Sequence, residues 1–149
     1  MRNNKIAEIE ISYQSKIMSD MKIDSNQKAF EILKDNWNLN TIELFEEFKI
    51  ILLNRSNNIL GIYNLSKGGT SSTIVDMKLL FSIALKSNAS SIIVCHNHPS
   101  GNLKPSKNDI EITKTINKIC KLFDIQLLDH LIITRNNYYS FKIENFIFT

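Results

Sequence analysis

The sequence contains few of the residues on which nucleotide-binding and disulfide-stabilised folds depend. Its 149 residues include only four glycines and two cysteines. The glycines are too few and too scattered to form the spaced glycines of a dinucleotide-binding fold or of a phosphate-binding P-loop. Two cysteines exclude a four-cysteine zinc finger and provide no disulfide framework. Nucleotide-cradling loops of these types and disulfide-rich secreted folds are therefore excluded.

Long apolar runs and a strong charge of one sign are also missing. No stretch approaches the ~18 apolar residues of a membrane span, and the first residues lack the apolar core of a signal peptide. The 18 basic and 15 acidic residues give a net charge of +3, which is too mild to indicate a nucleic-acid partner by itself. We therefore predict a cytoplasmic protein without membrane contact.

The hydrophobic pattern predicts one α/β domain over residues 1–149, in which helices flank a mixed central sheet. Helices are predicted at 26–37, after an N-cap at Asp76, and at 106–122. Strands are predicted at 9–13, 48–53, 59–65, 91–95, 125–134 and 138–143. The strand at 9–13 would lie at an edge of the sheet, and this exposed edge makes a homodimer an expected assembly.

Two histidines, His96 and His98, directly follow the predicted buried strand at 91–95. In an extended backbone, residues two apart point to the same side, so both imidazoles can share one ion. Asp109 follows after a loop that contains both prolines and one glycine, and this loop can turn the chain back. Two imidazoles and one carboxylate leave Zn²⁺ with an open fourth position, as in catalytic zinc sites.

Ser106 and Asp109 stand in the relation S-x-x-D at the start of the third predicted helix. One interpretation is a capping pair, in which the serine oxygen binds the amide three residues later. The other is that Asp109 binds the metal. The preceding histidine pair favours the second interpretation.

These residues also resemble a known motif. The run His96-Asn97-His98-Pro99-Ser100-Gly101, followed by Pro105-Ser106 and Asp109, resembles the metal motif of the JAMM metalloproteases, also called the MPN+ or JAB family, in its RadC-like form. The later segments at 127–133 and 138–141 match that form as well. The resemblance covers residues 43 to 142 and leaves 1–40 as an extension with one strand and one helix.

The resemblance implies a fold and a mechanism. The fold would be the JAMM fold, which is cytidine-deaminase-like. One Zn²⁺ per chain would be held by His96, His98 and Asp109, and the substrate would be a peptide or isopeptide bond in a peptide or protein. Glu46 would take a proton from the attacking water, and Ser106 would stabilise the developing oxyanion. Glu47 is the nearest rival to Glu46, and because neighbours in a strand face opposite ways, only one of them can face the metal.

Three neighbouring features are interpreted differently. His130 is left out of the metal site, as either a buried core histidine or a residue that orients a ligand. Cys95 should point away from the metal, to the opposite face of the strand. RadC-like proteins are traditionally labelled DNA repair proteins, and longer members carry a helix-hairpin-helix segment that needs glycines. Because no glycine precedes Gly61, we predict a short form without it.

Two alternatives to a zinc-dependent hydrolase remain open. A metal-free MPN scaffold that acts through protein contacts would have lost ligands, and none is lost here. A DNA-processing or DNA-associated protein would use the basic side of the third helix or a nuclease-like metal site, and would bind DNA in a salt-sensitive way.

Overall fold

The computed structural model describes residues 6–14, 21–68 and 74–144, which contain three helices and five strands. The helices are α1 (Asn26–Asp35), α2 (Met77–Lys86) and α3 (Lys107–Leu122). The strands are β1 (Glu47–Leu53), β2 (Ile59–Lys67), β3 (Ser91–Asn97), β4 (Gln126–Ile133) and β5 (Tyr138–Ser140). The mixed sheet flanked by helices confirms the predicted α/β class.

The sheet has the strand order β2-β1-β3-β4-β5. Only β3 and β4 are parallel, and every other neighbouring pair is antiparallel. Parallel strands need a long crossover, and α3 provides it between β3 and β4. The start of α3 therefore follows the carboxyl end of β3, with only the loop 98–106 between them.

The five-residue loop 54–58 joins β1 and β2 into an antiparallel hairpin. Asn54 organises this loop, because its side-chain oxygen accepts the main-chain N–H groups of Ser56 and Asn58. Asn57 has a φ of 63°, a conformation that asparagine tolerates better than most residues. The polar asparagine run is thus a turn with its own hydrogen bonds.

Helices cover both faces of the sheet because its central strands are apolar on both sides. On one face, side chains such as Ile50 and Val94 pack with α2 and α3. On the other face, Ile51 and Ile93 pack with α1. Near-continuous burial along β1 and β3 is typical of strands covered on both sides. Cys95 belongs to the α1 face, as its position beside His96 predicted.

All three helices have N-caps, including those predicted at Asp76 and Ser106. The side chains of Ser25, Asp76 and Ser106 each accept a main-chain N–H from the first turn of their helix. The first helix ends at Asp35, two residues earlier than predicted. Trp37 lies beyond this end but is buried in the same core as the helix. Its spacing from the helical residues therefore reflects this burial and does not mark a longer helix.

The predicted strand at 9–13 is wrong. Residues 6–14 form neither a helix nor a strand, and Ile9 and Ile11 are 87% and 76% exposed. Alternation of apolar and polar residues stabilises a strand only when a neighbouring strand and a buried face are available. The edge strand on which the homodimer expectation rested is not formed.

Among the described residues, no helix combines the length and the apolar character needed to cross a bilayer. The longest, α3, has 16 residues and a polar exposed side. Its basic residues Lys107, Lys114, Lys118 and Lys121 are all exposed.

Candidate metal centre

The site lies where the sheet meets the start of α3. His96 pairs with Phe48 of β1 across the sheet, which brings the residue before β1, Glu46, next to the end of β3. The main-chain carbonyl of Glu46 accepts the N–H of Gly68 at 2.8 Å, and this bond ties the entrance of β1 to the exit of β2. The pairing of β1 with its two antiparallel neighbours, β2 and β3, thus fixes the position of Glu46 along the strand direction relative to His96.

Asp109 reaches the site from the first turn of α3. The Ser106 hydroxyl accepts the Asp109 N–H at 3.0 Å, and the Asp109 carboxylate accepts the Ser106 N–H at 2.7 Å. This reciprocal capping box holds the carboxylate in one orientation. The capping interpretation and the metal-binding interpretation of S-x-x-D are therefore compatible, because the cap aims the carboxylate at the histidines.

Four ligand-type atoms converge at this point. Within the described part of the chain, the group consists of Glu46, His96, His98 and Asp109, whose ligand atoms all lie within 4.8 Å of one another. The His96 and His98 Nε2 atoms are 3.0 Å apart. The Asp109 carboxylate lies 3.2 Å from His96 Nε2 and 3.3 Å from His98 Nε2, and Glu46 Oε1 lies 3.7 Å from His96 Nε2.

These distances fit a tetrahedral ion. With metal-ligand bonds of about 2.0–2.1 Å, a tetrahedral centre separates its ligand atoms by about 3.3 Å. The two Nε2 atoms and the Asp109 carboxylate form a triangle with edges close to this size, in which Oδ1 is the nearer oxygen to His96 and Oδ2 the nearer oxygen to His98. Glu46 Oε1 lies farther from His96 Nε2, at 3.7 Å. The group is thus positioned to bind a metal ion.

His98 presents an unprotonated nitrogen to this position. Its Nδ1 contacts the main-chain carbonyl of Asn102, which can only accept a hydrogen bond. Nδ1 must therefore carry the proton, and the lone pair of the neutral ring is left on Nε2. A neutral imidazole oriented by a carbonyl on its other nitrogen is the usual state of a metal-binding histidine.

Charge stabilises the carboxylate of the group. Burial opposes ionisation of Asp109, but its contacts with His96 and His98 outweigh burial and hold the pKa of this carboxyl well below its usual range. Burial also lowers the pKa of His98, but the neighbouring Asp109 carboxylate and the Asn102 carbonyl raise it above its ordinary value.

The structure separates Glu46 from Glu47. Glu46 belongs to the group at the site, whereas the main-chain N–H of Glu47 donates to the Asn97 side chain at 2.7 Å and Glu47 begins β1. The family resemblance favoured Glu46, but the pattern of residues alone could not choose between these neighbours, because the choice depends on the residue at which the strand begins.

His130 lies behind the group and is fully buried. Its Nε2 is 2.8 Å from His96 Nδ1, the ring nitrogen that faces away from the ligand triangle. Burial, with a smaller contribution from His96, holds the pKa of His130 well below its usual value. His130 thus contacts a member of the group and is itself outside it, in agreement with its exclusion from the predicted metal site.

A cavity of about 510 Å³ opens over the group. Ser106 and Asn108 line it from the start of α3, and Val75 and Ile112 form an apolar wall. The ring of Phe48 stacks on His96 with centroids 5.9 Å apart and planes 6° from parallel. The cavity combines polar groups at its base with an apolar wall, which is typical of substrate sites.

Asn97 is a buried residue whose role the sequence did not indicate. Its side-chain oxygen accepts the Glu47 N–H, and its amide nitrogen donates to the carbonyls of Ile42 and Phe45. All of these partners flank Glu46 along the chain. Asn97, which lies between the two histidines, therefore ties the segment that carries Glu46 to the strand that carries His96.

We expect Asn97→Asp to lower the free energy of unfolding by about 3 kcal/mol, because a carboxylate oxygen would then face two carbonyl oxygens in a buried site. Denaturant unfolding measures this change. Asn64→Asp is the matched control, because Asn64 is exposed and accepts a hydrogen bond from Lys49 that a carboxylate preserves. Equal stability of the two variants would contradict the role of Asn97.

Comparisons with known proteins identify the family of this chain. The family model described as "RadC-like JAB domain" matches residues 23–146. A "UPF0758 protein" of Flavobacterium johnsoniae is 45% identical over 129 residues, which are 86% of this chain and 55% of the relative. A "UPF0758 protein" of Clostridium beijerinckii is 39% identical over 127 residues, 85% of this chain and 54% of the relative. That of Porphyromonas gingivalis is 43% identical over 103 residues, 68% and 45% of the two chains.

The chain thus spans about half the length of the curated relatives it matches. The match to the family model includes every residue of the metal-binding group, from Glu46 to Asp109. The chain therefore belongs to the RadC-like JAB domain family.

Proposed function

We propose that the protein is a zinc-dependent hydrolase that cleaves peptide or isopeptide bonds. The observation that carries this proposal is the triangle of His96, His98 and Asp109, with its metal-sized edges, beside a carboxylate that lies outside it. Three protein ligands and an open position are typical of catalytic zinc rather than structural zinc. The donor set of two imidazole nitrogens and one oxygen fits Zn²⁺.

A zinc ion held by these three residues would supply Lewis-acid polarisation of a carbonyl and would lower the pKa of water to near 7. The protein itself would supply the proton transfers. Glu46 Oε1, 3.7 Å from His96 Nε2, is within reach of a water at the open position. Its carboxylate would take a proton from the attacking water and pass it to the leaving amine.

Ser106 would stabilise the oxyanion. Its oxygen already accepts the Asp109 N–H, so the hydroxyl proton is left to donate towards the cavity, which Ser106 lines. A donor fixed before the reaction needs no reorganisation as negative charge develops on the substrate oxygen. One side chain would thus cap α3, aim Asp109 and bind the oxyanion.

Ser106→Ala should lower turnover by about 10²–10³-fold, the usual cost of a lost oxyanion donor. It should also lower the free energy of unfolding by about 1 kcal/mol, because the helix loses its cap. Ser25→Ala is the matched control, since Ser25 caps α1 by accepting the Lys28 N–H far from the site. If both variants lost the same stability and the same activity, Ser106 would be a capping residue only.

Incubation of the zinc-loaded chain with peptide and isopeptide libraries, and separately with single- and double-stranded DNA, tests the proposal. Mass spectrometry should detect new amino termini in the libraries, and a chelator should abolish them. Cleavage of DNA without cleavage of either library would contradict the proposed bond class. It would instead support the DNA-processing alternative.

A further inference from the structure

A buried chain of hydrogen bonds runs behind the metal-binding group. The Thr113 hydroxyl donates to the main-chain carbonyl of Asp109 at 2.6 Å. The same oxygen is 2.6 Å from His130 Nδ1, and His130 Nε2 is 2.8 Å from His96 Nδ1. Thr113, His130 and His96 are each at most 2% exposed. We call these three contacts the Thr113 relay.

The directions of the hydrogen bonds in the Thr113 relay follow from the Thr113 hydroxyl and from the complete burial of His130. A carbonyl oxygen has no proton, so the single hydroxyl proton of Thr113 must lie between the two oxygens. The Thr113 oxygen can then only accept from His130, and Nδ1 of His130 must carry a proton. The buried His130 ring packs on Phe141 at a centroid distance of 4.7 Å and is neutral, so its Nε2 accepts.

The acceptor on His130 determines the state of His96. Because His130 Nε2 offers a lone pair, His96 Nδ1 must carry the proton that lies between the two rings. When Nδ1 carries the proton of the His96 ring, the lone pair is on Nε2, the atom 3.0 Å from His98 Nε2 and 3.2 Å from Asp109. The opposite tautomer would place an N–H where the ion would bind.

We propose that Thr113 and His130 are positioning residues that fix His96 in the tautomer required for metal binding, a role that rests on the proposed zinc site. His98 obtains the same tautomer directly from the Asn102 carbonyl. His96 lies at the end of a central strand, and its Nδ1 contacts His130 instead of a loop carbonyl. The Thr113 relay therefore links His96 Nδ1 to the main-chain carbonyl of Asp109 through two intervening side chains. Asp109 thereby acts twice, through its side chain on the ion and through its main chain on His96.

Thr113→Val removes the hydroxyl and keeps the shape, while Thr113→Ser keeps the hydroxyl and is the matched control. In the metal-free protein at pH 8, ¹⁵N chemical shifts of the three histidine rings report which nitrogen carries each proton. We expect the Nδ1–H tautomer of His96 in the native chain and in Thr113→Ser, and a mixture of tautomers in Thr113→Val. Zn²⁺ affinity, measured by competition with a chelator, should fall about 10–100-fold only in Thr113→Val.

The tautomer measurement separates this inference from the proposed function. A proton on Nε2 of His96 in the native metal-free chain would overturn the Thr113 relay, and this result does not depend on how well any variant folds. If Thr113→Val bound Zn²⁺ with an affinity within about twofold of the native chain, the role of Thr113 in metal binding would be overturned. By contrast, an Nδ1–H tautomer in a native chain that binds Zn²⁺ but cleaves no peptide would retain the relay and contradict the proposed hydrolase.

Discussion

Glu46→Gln should abolish most of the hydrolytic activity while the protein retains its zinc. The amide cannot accept a proton, so loss of general-base catalysis should lower turnover by about 10²–10⁴-fold. Zinc should remain because Glu46 lies 3.7 Å from His96 Nε2, outside the triangle of the three ligand residues. Turnover of a peptide substrate and elemental analysis of the same sample measure the two quantities.

Glu47→Gln is the matched control for this variant. Glu47 is the neighbouring carboxylate, but it is linked to the site through its main-chain N–H, which donates to Asn97 and survives the substitution. The Glu47 variant should therefore retain both zinc and turnover. Loss of activity in Glu47→Gln alone would transfer the role of general base to Glu47. Loss of zinc in Glu46→Gln would make Glu46 a ligand.

His98→Ala should remove the zinc. The purified native protein should contain about one zinc ion per chain. Loss of a residue that only orients a metal ligand lowers metal affinity by about 10–100-fold. Loss of the ligand itself should lower the zinc affinity of His98→Ala by more than this. The cause is loss of one nitrogen of the triangle, whose Nε2 lies 3.3 Å from the Asp109 carboxylate. Elemental analysis after dialysis measures the content, and Glu47→Gln serves again as a control that should keep the metal.

Equal zinc content in His98→Ala and the native chain would contradict the assigned ligands. The cysteines would then be the next candidates to examine, although both thiols are buried. Burial raises the pKa of the Cys95 thiol well above its usual value and that of Cys120 to about 12. A thiol must lose its proton to bind zinc, and these environments oppose that loss.

The part of the site that could be predicted from sequence is the part built from local geometry. His96 and His98 share a side because they are two residues apart at the end of a strand. Asp109 is fixed by the first turn of a helix whose cap is visible as S-x-x-D. Glu46 is 50 residues from His96 in sequence, and its identification needed a resemblance to a known family. Pairing of β1 with β3 is the physical fact that brings it close.

The parts that could not be predicted depend on contacts between elements. Thr113 is an ordinary helical threonine in the sequence, four residues after Asp109, and only the crossover from β3 to β4 places it beside His130. The sequence did not indicate the role of Asn97 either, because that role depends on the path of the chain before β1. The incorrect prediction of a strand at 9–13 is the converse case. The local sequence pattern is typical of a strand, but the segment does not pair with a neighbouring strand.

Anomalous diffraction at the zinc absorption edge, from crystals of the whole chain grown with Zn²⁺, tests the central claim most directly. We predict one strong peak per chain at bonding distance from the Nε2 atoms of His96 and His98 and from the Asp109 carboxylate, with Glu46 facing the fourth position. A chain without a peak at these three residues, or with its zinc bound at another site, would contradict the account.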